Sequence, residues 1–186
     1  MAYDQINPNG RDKIPRSARS TEPAWVTTVA LPPEAAPFDL QAAINAAGDG
    51  EPTVIDLNSD IILNGYDIKI PQDKIIKPTS AGAEITHSID ANRLFRVLSV
   101  SSQAALYLEN ISITGGVGTD SGAGVSVFGG TLVMNNNAAI TGNQASGAGA
   151  GVLIRNGGTF CMNGGEITNN TAGTEGGGVN NGTGGI

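Results

Sequence analysis

The segment from Ala139 to Gly182, AITGNQASGAGAGVLIRNGGTFCMNGGEITNNTAGTEGGGVNNG, decides the fold because its apolar residues return at a fixed interval. The pairs that begin at Ile140 and Ile167 both read Ile-Thr and are 27 residues apart. The pairs that begin at Gly151 and Gly178 both read Gly-Val and have the same spacing. Self-similarity at one period predicts a solenoid in which each repeat forms one coil.

The repeat continues toward the N-terminus and indicates the shape of a coil. The Ile-Thr pair at Ile113 stands 27 residues before Ile140, and the pair at Ile85 stands a further 28 residues upstream. Each repeat has three short apolar runs, and 22 of the 27 glycines lie from Gly115 onward, where they permit tight corners. Stacking coils about 4.8 Å apart pairs each strand with its equivalent in the next coil. We therefore predict an all-β fold, a parallel β-helix of roughly five coils.

The stretch FDLQAAINAAGDG, which starts at Phe38, predicts one short helix ahead of the coils. Its apolar residues recur at helical spacing, and Asp39 suits the positive end of the helix dipole. Gly48 is placed to end the helix in a left-handed conformation. We assign residues 35–50 to a capping helix and residues 51–186 to the parallel β-helix.

Residues 1–34 are predicted to form an extended arm or linker outside the repeat. Two interpretations stay open: a disordered tail, or an arm that becomes ordered on a partner. The stretch AWVTTVAL, around Trp25, has the alternation of a strand that could add to another surface. In the second interpretation, four side chains would dock the partner: Arg11, Arg16, Arg19 and Trp25.

The last repeat ends mid-coil in GVNNGTGGI, without a counterpart of the TFCM run that starts at Thr159. An incomplete coil leaves open strand edges and exposed core side chains, which favours pairing with another chain. We expect self-association or a larger assembly, through this open coil or through the N-terminal arm.

Three stretches together resemble a known family: FDLQAAINAAGDGEPTVIDLNSDIIL, NRLFRVLSVSSQAALYLENISITGG and GGTFCMNGGEITNNTAGTEGGGV. They look like the right-handed parallel β-helix repeats of large bacterial surface proteins, over about residues 38–186. The resemblance implies a right-handed β-helix whose first coil is capped by the opening helix. Pectate-lyase-like enzymes, phage tailspikes and adhesins share this architecture, so the resemblance leaves the function open.

Composition limits the function classes. The net charge of −7 argues against a nucleic-acid partner, which would favour a basic face. No run of about 18 apolar residues could span a membrane, and the first 20 residues lack the apolar region of a secretory signal peptide. One cysteine cannot form a disulfide within the chain. We expect an extracellular, cell-surface or virion location and no cofactor.

Catalytic chemistry has few candidate residues. Glycoside hydrolysis needs two carboxylates across a cleft, and the resemblance to β-helix lyases implies clustered carboxylates with a basic residue. Asp67, Asp90 and Arg93 are the best set, although solvated surface charge explains them more simply. The stretch GGVGTDSGA from Gly115 matches the calcium-binding nonapeptide only in part, because Gly122 occupies its apolar position. We predict no catalytic residue and no metal site.

Two columns and a few aromatic rings are candidates for ligand binding. Asn143 and Asn170 are 27 residues apart, which also fits an asparagine ladder at a corner. The rings that could stack on sugars belong to Trp25, Tyr66 and Tyr107. Threonine is also simply a good strand former. The predicted threonine ladder on one face contains Thr86, Thr114, Thr141 and Thr168.

The sequence therefore favours a non-catalytic, surface-displayed β-helix used for structure or attachment. It would be a bacterial adhesin-like module or a virion fibre component, and its partner would be a host-cell surface or a glycan. The alternative is a polysaccharide-degrading lyase or glycoside hydrolase of the β-helix class.

Overall fold

The computed structural model describes residues 23–25, 27–30, 39–80 and 86–185. Over these residues the chain is a parallel β-solenoid of about five coils, so the predicted all-β parallel β-helix with a short N-terminal helix is confirmed. One strand and one helix precede the first coil: β1 (Thr27–Ala30) and α1 (Leu40–Ala46).

The first two coils have three strands each, and the next three coils have four. Coil 1 contains β2 (Pro52–Leu57), β3 (Ile61–Ile62) and β4 (Ile68–Ile70). Coil 2 contains β5 (Ile75–Ser80), β6 (His87–Asp90) and β7 (Leu98–Val100). Coil 3 contains β8 (Ala105–Leu108), β9 (Ile111–Thr114), β10 (Val117–Gly118) and β11 (Val125–Phe128). Coil 4 contains β12 (Thr131–Met134), β13 (Ala139–Thr141), β14 (Gln144–Ala145) and β15 (Val152–Arg155). Coil 5 contains β16 (Thr159–Met162), β17 (Glu166–Thr168), β18 (Thr171–Ala172) and β19 (Val179–Asn181).

Equivalent strands of successive coils pair in parallel and form four sheets. Sheet A runs β1-β2-β5-β8-β12-β16, and sheet B runs β3-β6-β9-β13-β17. Sheet C runs β4-β7-β11-β15-β19, and sheet D runs β10-β14-β18. In sheet C, Val152 pairs with Val125 on one side and with Val179 on the other. This register confirms the 27-residue repeat in coils 3 to 5.

The core is a stack of aliphatic side chains that the strands point inward at alternate positions. In β2 the burial alternates, and Ile55 and Leu57 are fully buried. In sheet A, Leu106 pairs with Leu132, and both are buried. Because each such side chain contributes roughly 1.5–3 kcal/mol on burial, the column of aliphatic residues holds neighbouring coils together.

The predicted repeat is wrong in coil 2. Ile89, and not Ile85, pairs with Ile113 where strands β6 and β9 of sheet B meet. Six residues of the chain separate β5 from β6, whereas two separate β8 from β9, so the period of the later coils does not apply there. Ile89 is fully buried, and its burial sets the register, because a strand must keep its apolar face toward the core. Ile85 lies outside the described residues.

The helix α1 closes the N-terminal end of the solenoid. Leu40 and Ile44 are buried in the core below it. The side chain of Gln41 accepts a hydrogen bond from the backbone N–H of Lys69 (2.7 Å) and donates one to the backbone oxygen of Lys69 (3.0 Å). This amide takes the place of a neighbouring strand at the edge of β4, while β1 covers the edge of β2.

The ends of α1 agree only in part with expectation. Asp39 is the N-cap, and its Oδ1 accepts a hydrogen bond from the backbone N–H of Ala42 (2.9 Å). The prediction for Gly48 is wrong: Ala47 leaves the helix with φ −59° and ψ 146°. The residue with the left-handed backbone conformation is Gly50, with φ 70°, two positions after Gly48.

Lys74 fastens the C-terminal end of α1 to coil 2, and its removal is expected to loosen the cap. Its Nζ donates hydrogen bonds to the carbonyls of Ala47 and Asn45, and it lies 2.7 Å from Oδ1 of Asp49. We expect Lys74→Met to lower the free energy of unfolding by about 2 kcal/mol, because a largely buried cation satisfies these terminal carbonyls. Urea denaturation measures the change. The exposed cation Lys69 is the matched control, and an equal loss in Lys69→Met would contradict this role.

The last coil is less well covered than the others. Phe160 and Ile167 are half-buried, and Val179 is 37% exposed. Among the strands of the described residues, none pairs with the outer edges of β16 to β19. Assembly through this coil stays a prediction.

Candidate functional site

The threonine column lies on the outer face of sheet B, with one correction. Thr141 pairs with Thr168, whose hydroxyl donates a hydrogen bond to Oγ1 of Thr141 (3.3 Å), and Thr114 occupies the same position in β9. Thr86 does not belong to the column, because the longer connection between β5 and β6 shifts the register. Asp90 pairs with Thr114 instead.

The asparagine column is an internal structural feature, which removes Asn143 from the candidate ligand-binding residues. Asn143 is 1% exposed. Its Oδ1 accepts a hydrogen bond from the backbone N–H of Gly116, and its Nδ2 donates to the carbonyls of Ile113 and Thr141. Oδ1 of Asn170 accepts from the backbone and the side-chain amide of Asn143. The pair therefore joins the coils at a corner, as the simpler interpretation of the sequence predicted.

The residues predicted to dock a partner are only partly described. Arg11, Arg16 and Arg19 lie outside the described residues. The ring of Trp25 packs edge-on against Tyr107, with ring centroids 5.0 Å apart, and Nζ of Lys77 lies 4.6 Å from the Trp25 centroid. This is a cation–π contact on the outer face of sheet A. The predicted strand addition takes place within the chain, because β1 pairs with β2.

The candidate catalytic residues have separate local partners. Asp67 accepts a hydrogen bond from Ser99 (2.9 Å) beside sheet C. Asp90 lies in sheet B and accepts from the backbone N–H of Asn92 (2.7 Å). Arg93 donates to the side chain of Gln144 (3.3 Å), which lies two coils away. Asp90 is thus the last residue of β6 in sheet B, Asp67 precedes β4 of sheet C, and Arg93 lies in the turn that follows β6.

The glycine-rich stretch from Gly115 has a packing reason for its glycines. A Cβ at Gly116 would collide with the carbonyl of Ala123 and would lie 2.8 Å from Oδ1 of Asn143. Among the described residues, no three His, Cys, Asp or Glu side chains lie close enough to hold a metal ion. No helix in this part of the chain is long and apolar enough to cross a membrane.

The clearest candidate binding site is a groove beside the capping helix, which we call the cap groove. Its volume is about 420 Å³, within the range of small-ligand pockets. The ring of Tyr66 is 61% exposed there, whereas Tyr107 is 8% exposed. Of the three aromatic rings proposed for sugar stacking, Tyr66 is thus the most accessible. The cap groove is lined by Gln41 and Asn45 of α1, Tyr66, Asp67, Lys69 and Pro71 of coil 1, and Ser101 of coil 2.

The hydrogen bonds to Lys69 fix the orientation of both amides in the cap groove. Since Gln41 must accept from the N–H of Lys69 and donate to its carbonyl, its Nε2 is the atom that meets Asn45. Oδ1 of Asn45 accepts from that Nε2 (3.0 Å), so Nδ2 of Asn45 is left as a donor at the exposed helix surface. The backbone of Lys69 in β4 thus orients the amide of Gln41, which in turn orients the amide of Asn45.

A second groove follows the outer face of sheet D and is lined by small and polar residues. Its volume is about 550 Å³. Gln144 and Thr171 pair across β14 and β18 and are exposed, with Ser146 beside them. This groove has hydroxyl and amide groups but no aromatic ring. A third groove contains Thr86 with Asn137 and Glu166.

Sequence reasoning named Tyr66 and Asp67 but missed the helix residues of the cap groove. The available signal was the spacing of Gln41 and Asn45, which are four residues apart and therefore lie on one helix face. The polar side chains of Gln41 and Asn45 lie on that face, while Leu40 and Ile44, on another face, pack into the core.

No protein family, no curated protein and no solved structure matches the chain.

Proposed function

We propose that the chain is a non-catalytic attachment module, a rigid β-solenoid displayed on a surface where it binds glycans. The observation that supports this proposal most is the cap groove, where an exposed tyrosine ring lies beside amide, carboxylate and hydroxyl groups. Aromatic faces pack on the C–H faces of sugars, and polar side chains bind the sugar hydroxyls.

The solenoid suits attachment because a well-packed core supports its polar outer faces. One continuous cluster of buried aliphatic residues extends from Leu40 in the cap to Ile154 in coil 4. A stiff scaffold holds surface groups in place before binding, so less conformational entropy is lost when a ligand binds. The resemblance of the repeats to those of right-handed bacterial surface β-helices is compatible with this role, although enzymes share the same architecture.

The experiment is a polysaccharide panel that reads binding and turnover on the same samples. Affinity electrophoresis measures binding, and assays for reducing ends and for unsaturated sugars measure cleavage. We expect retention by at least one polysaccharide without release of either product. Release of product that Asp67→Asn or Asp90→Asn abolishes would instead identify a β-helix lyase or hydrolase. Neither binding nor cleavage would indicate a purely architectural protein and would overturn the proposal.

Self-association, through the open last coil or through the N-terminal arm, is a separate prediction. Light scattering on a sizing column compares the native mass with the 18.8 kDa of one chain. A stable closed oligomer is the expected result, whereas a monomer at all concentrations would contradict it.

A further inference from the structure

We propose that the cap groove is the saccharide-binding subsite and that it takes a neutral sugar ring. This inference rests on the proposed attachment function and names the site and the ligand class for it. It is carried by the ring of Tyr66, by the polar groups around that ring, and by the contacts that hold those groups in place.

The apolar part of the subsite is formed by Tyr66 and Pro71. Tyr66 follows the Asn64-Gly65 bend, and this places its ring outside the core, with 61% of the residue exposed. Pro71 lies at the end of β4 and lines the same groove. A sugar ring laid on the tyrosine would cover this surface with its C–H groups and leave its hydroxyls at the rim.

The polar groups supply both hydrogen-bond roles that a hydroxyl needs. Nδ2 of Asn45 donates, and no hydrogen bond within the described residues engages it. Asp67 uses Oδ2 to accept from Ser99, which leaves Oδ1 as an acceptor. Ser101 adds a hydroxyl that can donate or accept. Each sugar hydroxyl is both a donor and an acceptor, so neighbouring hydroxyls fit an amide donor beside a carboxylate acceptor.

Three polar side chains of the cap groove are held in place by contacts within the chain. Gln41 is held by two hydrogen bonds to the backbone of β4, and Asn45 is held by Gln41. Asp67 is held by Ser99, which stands in the neighbouring strand β7. Because these side chains are fixed, binding would cost little rotamer entropy.

Charge selects a neutral sugar over a uronate. The cap groove contains one carboxylate, Asp67, and one ammonium group, Lys69, so its formal charge is zero. The whole chain carries a net charge of −7, which repels polyanions at long range. The acidic polysaccharides that β-helix lyases cleave would therefore be the weaker ligands here.

The experiment is an NMR titration with cellohexaose, maltohexaose and oligogalacturonate. We expect one of the two neutral oligosaccharides to shift backbone amide resonances at residues 41–45 and 66–70 and to bind more tightly than oligogalacturonate. Tyr66→Ala is expected to weaken this binding by about tenfold, because the aromatic platform is lost. Tyr66→Phe keeps the platform and is expected to retain most of the affinity. Gln144→Ala, in the sheet D groove, is the matched control and is expected to leave the affinity for the oligosaccharide unchanged.

The outcomes separate this inference from the proposed function. Sugar-induced shifts at sheet D that Gln144→Ala abolishes would leave attachment standing and overturn the cap groove as the site. Tighter binding of oligogalacturonate would overturn the neutral ligand class. Cleavage of a probe would overturn the proposed function together with this inference. No binding of any of the three probes would overturn this inference alone, because the polysaccharide panel is the test of attachment. Because Tyr66 is exposed, unchanged urea midpoints for its variants check that the fold is intact.

Discussion

Gly124→Ala is expected to destabilise the solenoid by about 3 kcal/mol, because a methyl group at this position has no space. A Cβ there would lie 2.5 Å from the carbonyl oxygen of Gly151 in the next coil and 3.0 Å from Nδ2 of Asn143. Both neighbours are fixed, since Gly151 belongs to the stacked backbone and Asn143 is held by hydrogen bonds. Neighbouring coils would have to separate locally, and the parallel pairing of β11 with β15 would weaken.

The same position of the repeat in coil 5 provides the control. A Cβ at Gly178 would meet only Cγ2 of Ile167, at 3.6 Å, which is ordinary van der Waals contact. Neither glycine has a positive φ, so alanine causes no backbone strain at either site. We therefore expect Gly178→Ala to change the free energy of unfolding by less than about 0.5 kcal/mol in urea denaturation. Equal losses in the two variants would show that coil stacking does not restrict this glycine.

This comparison indicates how far the sequence specifies the fold. The Gly-Val pairs at Gly124, Gly151 and Gly178 mark one corner of three coils, and their spacing is sufficient to predict parallel stacking and its register. A stacked glycine is recognisable because the same small residue returns where neighbouring backbones approach each other. The fold class was therefore predictable from coils 3 to 5 alone.

The period fails where the number of residues between two strands changes. The longer connection between β5 and β6 puts Ile89, and not Ile85, opposite Ile113, and counting residues from the later coils cannot reveal such an insertion. Burial of Ile89 does, because only one of the two faces of β6 can meet the core. The error at Thr86 has the same cause.

The candidate site was less predictable than the fold, because it depends on contacts between distant residues. Gln41 looks like a solvated side chain on a helix, yet its amide pairs with the backbone of Lys69, 28 residues away. Trp25 looks like an anchor for a partner, yet it packs against Tyr107 of the same chain. Neither contact recurs from coil to coil. The type of residue alone does not indicate which distant residue a side-chain amide or an aromatic ring will contact.

Asn143→Ala tests the corner ladder and is expected to cost about 3 kcal/mol, because alanine would leave several buried backbone groups without partners. The N–H of Gly116 would lose its acceptor, and the carbonyls of Ile113 and Thr141 would lose a donor. In the native chain, no buried side-chain nitrogen or oxygen of the described residues lacks a hydrogen-bond partner. The substitution would create such unsatisfied groups on the backbone.

Two further variants give the prediction a graded outcome. Asn170 has the same place in the next coil but is half-buried, so Asn170→Ala leaves groups that water can reach and is expected to cost about 1 kcal/mol. Asn136 is exposed on a turn, so Asn136→Ala is expected to change the free energy of unfolding by less than about 0.5 kcal/mol. Urea denaturation of the three variants should therefore follow burial. A loss at Asn143 no larger than the loss at Asn136 would contradict the structural role of the ladder and would return Asn143 to the candidate ligand-binding residues.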